Sequence, residues 1–261
     1  MQALHAVLEG SLRAEELKPV LAAAERCLRQ WQPVWTDFLD GPLVEEAEAR
    51  LGSLSELCFE RAGGYGGAER CRLLLQRAEA ALPLDQQPGD FAGLEIAGNF
   101  LFDPAEPADF QAALVAAGAS LQELGDLWLR GDRGAQAIGA GALANRLHGQ
   151  AGLVRSVPVL FEARPLQELQ RPALRQPRSL TSVEASTRLD AVASAGFGLS
   201  RSRMAELIRQ GAVRIDWKPA LSPSRELVAG ERVQLAGRGT LRIEAVELTK
   251  RDRYRIHLLR S

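Results

Sequence analysis

Five phrases in the last third of the chain decide how the rest is read. They are R-L-D-A-V at Arg188–Val192, G-F-G-L-S-R-S-R at Gly196–Arg203, A-E-L-I-R-Q-G at Ala205–Gly211, V-R-I-D-W-K at Val213–Lys218 and L-V-A-G-E-R-V at Leu227–Val233. The spacing predicts two short basic helices followed by tight strands. Thr187 is placed to cap the first helix over Leu189, Val192 and Ala193, which ends at Gly196. Gly198-Leu199-Ser200 reads as the turn, and Ser200 or Ser202 caps a second helix that buries Met204, Leu207 and Ile208 and stops at Gly211, a natural position for positive φ. The first turn of that helix offers free backbone N–H groups beside two hydroxyls (Ser200, Ser202) and two guanidinium groups (Arg201, Arg203), which suits a phosphate. Arg209 and Gln210 close the helix. Arg214 and Lys218 then alternate with inward-facing Val213, Ile215 and Trp217.

Charge separates this third from the remainder. The chain has 261 residues, 46% hydrophobic and 25% charged, with a net charge of −1. Residues 180–261 hold 15 Lys+Arg against 9 Asp+Glu, and 13 of those 15 are Arg, so the acidic excess belongs to residues 1–179. An acidic body with an Arg-rich C-terminal module predicts contact between that module and a polyanion. Length alone asks for two or three domains.

Upstream, residues 1–69 are expected to be a helical region. Leu4, Val7 and Leu8 recur at helical spacing, as do Leu17, Val20, Leu21, Ala24 and Leu28. Trp31 and Trp35 flank Pro33 and read as core indoles against a helix pair, with base stacking as the other reading. Asp40 stands near a new helix start before an acidic amphipathic helix over Leu43–Leu51. Gly63-Gly64-Tyr65-Gly66-Gly67-Ala68-Glu69-Arg70 is either a hinge or an RNA-contacting loop with Tyr65 to stack and Arg70 to pair with phosphate. It is not a phosphate-cradling nucleotide loop, since Glu69-Arg70 stands where Lys-Ser/Thr is needed.

Residues 70–163 switch between strand and helix. Strands are expected at Arg72–Ala78, Phe91–Ala97, Leu124–Arg130, Ala135–Ile138 and Leu153–Phe161, with helices at Ala108–Ala117 and Ala142–His148. That order predicts an α+β domain of the RRM or ferredoxin-like kind without the aromatic motifs that stack RNA on its sheet. Residues 164–179, with Pro165, Pro172 and Pro177 among Arg164, Arg171, Arg175 and Arg178, read as a Pro/Arg-rich linker.

Other chemistries find little support. Cys27, Cys58 and Cys71 are widely spaced, as are His5, His148 and His257, so no metal site is expected and the thiols read as buried in a reducing compartment. No apolar run approaches a membrane span, and the N-terminus lacks a basic–apolar–small signal pattern. No base and nucleophile pair and no dinucleotide-binding glycine pattern appears, so neither catalytic residues nor a cofactor are expected.

The C-terminal phrases resemble the S-four domain, also called the αL RNA-binding motif, with departures at Asp216, Trp217 and Ala229-Gly230-Glu231. More narrowly, they resemble the YlmH family. So do Phe38-Leu39-Asp40, Gly63–Arg70, Asp109–Gly118, Leu124-Gly125-Asp126, Gly237–Gly239 and the strands expected at Leu241–Glu247 and Tyr254–Leu259. The resemblance covers most of residues 38–261 and points to the cyanobacterial and plastid photosystem II S-four domain branch. It implies a cytoplasmic (or stromal) non-enzymatic protein with an S-four domain over 180–261. Its partners would be large-subunit rRNA and tRNA, in translation quality control with a link to photosystem II. The implied contacts are Arg188, Ser200, Arg201, Ser202, Arg203, Arg209, Gln210, Arg214 and Lys218, together with Tyr65 and Arg70. The competing expectation is an RNA-modifying enzyme, of pseudouridine synthase or methyltransferase type, anchored by the same module.

Overall fold

The computed structural model describes residues 7–11, 13–172, 177–216, 218–235 and 238–261. Leu4, His5, Arg175, Trp217 and Gly237, all used above, lie outside them. The fold is α+β with antiparallel sheets, and the chain forms two compact units, Met1–Ala173 and Leu174–Ser261.

The first unit opens with helix α1 (Ala14–Gln30), whose buried stripe of Leu17, Val20, Leu21, Ala24 and Cys27 follows the expected helical spacing. Helix α2 (Gly41–Leu51) starts where Asp40 accepts a hydrogen bond from the Leu43 N–H at 2.9 Å. These helices share a core with a three-stranded sheet in the order β1 (Val34–Trp35), β3 (Arg72–Arg77), β2 (Leu57–Ala62). Two expectations are corrected here. Leu57–Ala62 is a strand, so the N-terminal region is not purely helical. Arg72–Arg77 is the middle strand of this first sheet, paired with both neighbours, and not the opening strand of the following domain. The expected boundary at 69/70 therefore cuts through one sheet.

Trp31 also departs from its core reading. It is the left-handed C-cap of α1 (φ 57°) and 62% exposed, with the Arg77 guanidinium 3.8 Å from its ring centroid. Trp35 is half-buried and meets Phe91 edge-on at 5.4 Å. Cys27 and Cys71 are buried, and burial pushes the Cys71 thiol up to about 11.

The second sheet of this unit has the order β5 (Leu124–Leu129), β6 (Gly134–Ala140), β4 (Phe91–Ala97), β8 (Val157–Arg164), β7 (Ala151–Val154). With helices α3 (Pro107–Ala116) and α4 (Gly141–Leu147), the succession β4-α3-β5-β6-α4-β8 is the split β-α-β arrangement expected of a ferredoxin-like domain. The last expected strand is a hairpin: Val154 pairs with Val157, and Arg155 turns the chain at φ 54°. Both helices pack on one face around Leu94, Ile96, Phe110, Leu114, Leu143 and Phe161. The opposite face is covered too. Phe38, Ile138 and Leu169 form a small core there, with Tyr65, Phe91, Trp128 and Leu166 packed against it. Leu166–Glu168 is a 3-10 turn, and the Trp128 indole N–H donates to the Gln170 carbonyl at 3.0 Å. Much of the expected linker is thus part of the fold; Arg164 ends β8 and pairs with Glu95 and Glu162.

The second unit is a six-stranded antiparallel sheet in the order β11 (Lys218–Pro219), β10 (Val213–Ile215), β12 (Arg232–Leu235), β13 (Gly239–Leu248), β14 (Tyr254–Arg260), β9 (Arg178–Glu184). Helices α5 (Leu189–Phe197) and α6 (Arg201–Arg209) cover one face over Val213, Ile215, Val233, Leu241, Ile243, Ile256 and Leu258. Strand β9, from the segment preceding the helices, closes the far edge against β14 in a seven-residue register.

Candidate nucleic-acid interface

The local sequence sets the start of α6 tightly. Ser200, not Ser202, is the N-cap, and its hydroxyl accepts the Arg203 N–H at 3.2 Å. The first-turn N–H groups have no acceptor within a helix, so those of Arg201 and Ser202 face outward at an exposed end. Gly211 takes φ 75° at the other end, letting the Gly211 N–H reach the Ile208 carbonyl (2.9 Å) and the Ala212 N–H reach that of Leu207 (3.0 Å). The start of α5 differs from expectation. Its N-cap is Arg188 with no side-chain cap; carbonyls of Arg225 and Pro223 receive the N–H groups of Leu189 (2.7 Å) and Asp190 (3.0 Å). Thr187 instead gives its carbonyl to the Leu227 N–H at 2.9 Å. The 221–228 loop thereby locks the first helix in place.

Asp190 joins the two helices. It is 6% exposed, and its carboxylate receives paired hydrogen bonds from Arg188 (3.1 and 3.1 Å) and from Arg201 (3.1 and 3.2 Å). Burial alone would push this carboxyl up; the two guanidinium groups outweigh burial and hold it below the usual carboxylate range. The R-L-D phrase of one helix thus orients the first arginine of the S-R-S-R phrase on the next. Arg203 pairs with Glu206 at 2.5 Å, and Glu206 also receives the Gln210 amide at 3.2 Å.

The remaining expected contacts divide by position. Arg188, Ser200, Arg201, Ser202 and Arg203 are gathered around the α6 start. Arg209 and Gln210 lie at its other end, about 12 Å along the axis at 1.5 Å per residue. Arg214 alternates with buried Val213 and Ile215, which face the helices, so it projects from the opposite face of the sheet. Lys218 is exposed on the edge strand opposite Ile215. Asp216 takes φ 43° in the turn between them and accepts the Arg232 N–H at 3.0 Å, a role a short acidic or amide side chain can fill. Arg209, Arg214 and Lys218 have no side-chain partner among the described residues.

Tyr65 and Arg70 are engaged inside the first unit. The Tyr65 hydroxyl donates to Asp126 at 2.7 Å, and the N–H groups of Glu69 and Arg70 donate to the same carboxylate at 2.8 Å each. The Arg70 guanidinium donates to the carbonyls of Leu124 (2.8 Å), Leu121 (2.8 Å) and Phe38 (3.4 Å). Burial and the Asp126 hydrogen bond raise the Tyr65 phenol, which stays protonated as the donor. Asp126 and Asp190 are the two residues that residue-by-residue reading missed. Each is a lone Asp inside an apolar phrase, and that is the signal that could have flagged them.

Among the described residues no group of three or more His, Cys, Asp and Glu side chains could hold a metal, and no helix is long and apolar enough to cross a membrane.

The S4 domain model matches residues 187–233, and the model of the YlmH N-terminal domain matches residues 13–80. The chain is YlmH-like, with its S4 domain at the C-terminal end. It is 25% identical over 228 residues to the ribosome-associated protein quality control protein P2 of Bacillus subtilis (strain 168), covering 87% of each chain. A solved structure, the cell division protein ylmH from Streptococcus pneumoniae, matches at 19% identity with a TM-score of 0.43, over 59% of this chain and 93% of that one.

Proposed function

We propose that this protein binds structured RNA through its C-terminal module and acts without catalysis on the ribosome. Its targets in this reading are large-subunit rRNA and tRNA, in translation quality control. The observation that carries the proposal is the α6 start, where Asp190 pre-orients Arg188 and Arg201 beside the free N–H groups of an exposed helix end. A pre-oriented guanidinium loses less freedom on meeting a phosphate than a free one does. The name of the Bacillus relative supports the ribosomal destination. Ser200, Ser202, Arg203, Arg209, Gln210, Arg214 and Lys218 complete the proposed contacts, and Tyr65 and Arg70 serve by holding the first unit together. The site of action is the cytoplasm, or the stroma of a plastid. A link to photosystem II is then indirect, through quality control of membrane-protein synthesis.

Neutralising about four phosphates at this part of the module contributes roughly −3 to −4 to the log–log salt slope of RNA binding. Arg201→Ala/Arg203→Ala is expected to make that slope shallower and to weaken binding at every salt concentration. A flat salt dependence of the wild type, or full binding by the double variant, refutes the role given to this helix start. Crosslinking in cells with RNA sequencing, paired with gradient sedimentation, tests the destination. Co-migration with large subunits and crosslinks to rRNA and tRNA are expected. Crosslinks confined to one messenger RNA would point to transcript-specific regulation instead, and turnover of RNA with a methyl donor would revive the enzymatic alternative.

A further inference from the structure

We infer a second phosphate-binding surface on the β13–β14 hairpin, outside the residues that match the S4 domain. It takes the backbone of an RNA strand without reading its bases. The inference rests on the RNA-binding role proposed above and extends it to a different part of the second unit.

The hairpin is long, joining Leu248 to Tyr254 across a five-residue connection. Its tip is fixed by hydrogen bonds from the Thr249 N–H to the Arg253 carbonyl (2.7 Å) and from the Asp252 N–H to the Thr249 carbonyl (3.1 Å). The Thr249 hydroxyl adds a third bond by accepting the Arg253 N–H (3.2 Å), and Asp252 takes φ 50° to complete the turn. This tip presents Lys250, Arg251, Arg253 and Arg255, all exposed, along one groove of about 800 Å³. Lys250, Arg251 and Arg253 have no side-chain partner among the described residues, and Arg255 meets Glu247 only at 3.8 Å.

Four cations stand here against the two acids Glu247 and Asp252, on a turn whose backbone is held by three hydrogen bonds. Solvated charges of one sign held this close repel one another, so a polyanion that runs along the groove gains from all of them. Leu248 and Val183 line the same groove, 66% and 47% exposed. They offer apolar contact to ribose but no hydrogen bond to a base. Among the lining residues there is no aromatic ring for a base to stack on, unlike the platforms that bind unpaired strands. Backbone contact without sequence preference is what such a surface supplies.

The test compares three full-length proteins binding one generic stem-loop RNA across a salt series: wild type, Lys250→Ala/Arg251→Ala/Arg253→Ala, and Arg201→Ala/Arg203→Ala. Removing three phosphate contacts is expected to make the slope shallower by roughly 2 to 3, while the helix-start variant keeps the part of the slope due to the hairpin. Arg251→Ala alone, at a turn position whose side chain makes no hydrogen bond or ion pair among the described residues, is expected to lose about one unit and serves if the triple variant misfolds. A hairpin variant with the wild-type slope overturns the inference while leaving the proposed function standing, provided the helix-start variant weakens binding. A wild type that binds the stem-loop with no salt dependence overturns both. Loss of binding to phosphatidylglycerol vesicles with RNA binding unchanged assigns the groove to lipid and also overturns the inference.

Discussion

Asp126→Ala is expected to destabilise the first unit by about 2–4 kcal/mol, the largest effect of any single polar substitution in it. The carboxylate accepts three hydrogen bonds, from the Tyr65 hydroxyl and from the N–H groups of Glu69 and Arg70. Bonds to a charged acceptor contribute roughly 1.5–3 kcal/mol each when enclosed, and the Glu69 and Arg70 ends are open enough to water to lower the sum. The loop they hold carries the Arg70 guanidinium to carbonyls on both sides of the junction between the two sheets. It also places Gly64 against Ile138, where a Cβ would come within 2.9 Å of the Ile138 side chain. Losing the carboxylate therefore loosens more than three hydrogen bonds. Urea unfolding should show a lower midpoint, and amide exchange should accelerate over 63–70 and 121–129 while the second unit keeps its protection. Asp126→Asn keeps the shape and one acceptor oxygen but sets an NH2 group against an N–H, so it should fall between alanine and the wild type. Unchanged exchange over 63–70 in the alanine variant would show that the loop is held by its glycine backbone alone.

That network explains why the sequence is legible in outline but leaves Gly63–Arg70 open between hinge and binding loop. Four glycines around a tyrosine announce an unusual backbone, and the choice between hinge and binding loop depends on what stands opposite. Asp126 is more than fifty residues away, and no local pattern reports such a pairing. Starts and stops were legible for the opposite reason. Asp40, Ser200 and Gly211 act on groups two to four residues distant, and their chemistry is local. The ferredoxin-like order was legible because strand alternation and helix spacing survive in short windows.

Sheet membership was not. Leu73, Leu74, Leu75 and Gln76 are all buried, so the strand has no wet face, and its partners follow from long-range packing. Trp31 shows the limit of treating a large aromatic as core. A left-handed C-cap leaves its indole in solvent, and stacking with Arg77 covers one side of the ring. At the candidate interface, the clustering at the α6 start could be read from the serines and arginines alone. The division of Arg214 from that cluster required the sheet, because alternation places it on one face only once the helices are known to cover the other.

Asp190→Ala tests the second unit and the proposed function at once. Removing a buried carboxylate leaves two arginines facing each other without their counter-charge, a change that costs several kcal/mol when all partners are enclosed. Here the guanidinium groups keep access to water, so screening reduces the loss to about 2 kcal/mol. The sign with pH follows from the depressed carboxyl. Its contribution is whole above the ordinary aspartate value of about 3.9 and drains away as pH falls through the lower folded-state value. The wild type should therefore lose stability on acidification more steeply than Asp190→Ala, and the two curves should converge at low pH. RNA binding should weaken as well, although Asp190 touches no phosphate in this account. An arginine released from a fixed rotamer pays roughly 0.5–1.5 kcal/mol to be ordered again, about two- to tenfold in affinity. The salt slope should stay near the wild-type value, because every cation is still present to displace counterions. A variant that loses affinity together with slope would mean that the helix start has collapsed and not merely lost its orientation. One that keeps full affinity would show that Asp190 only braces the two helices against each other.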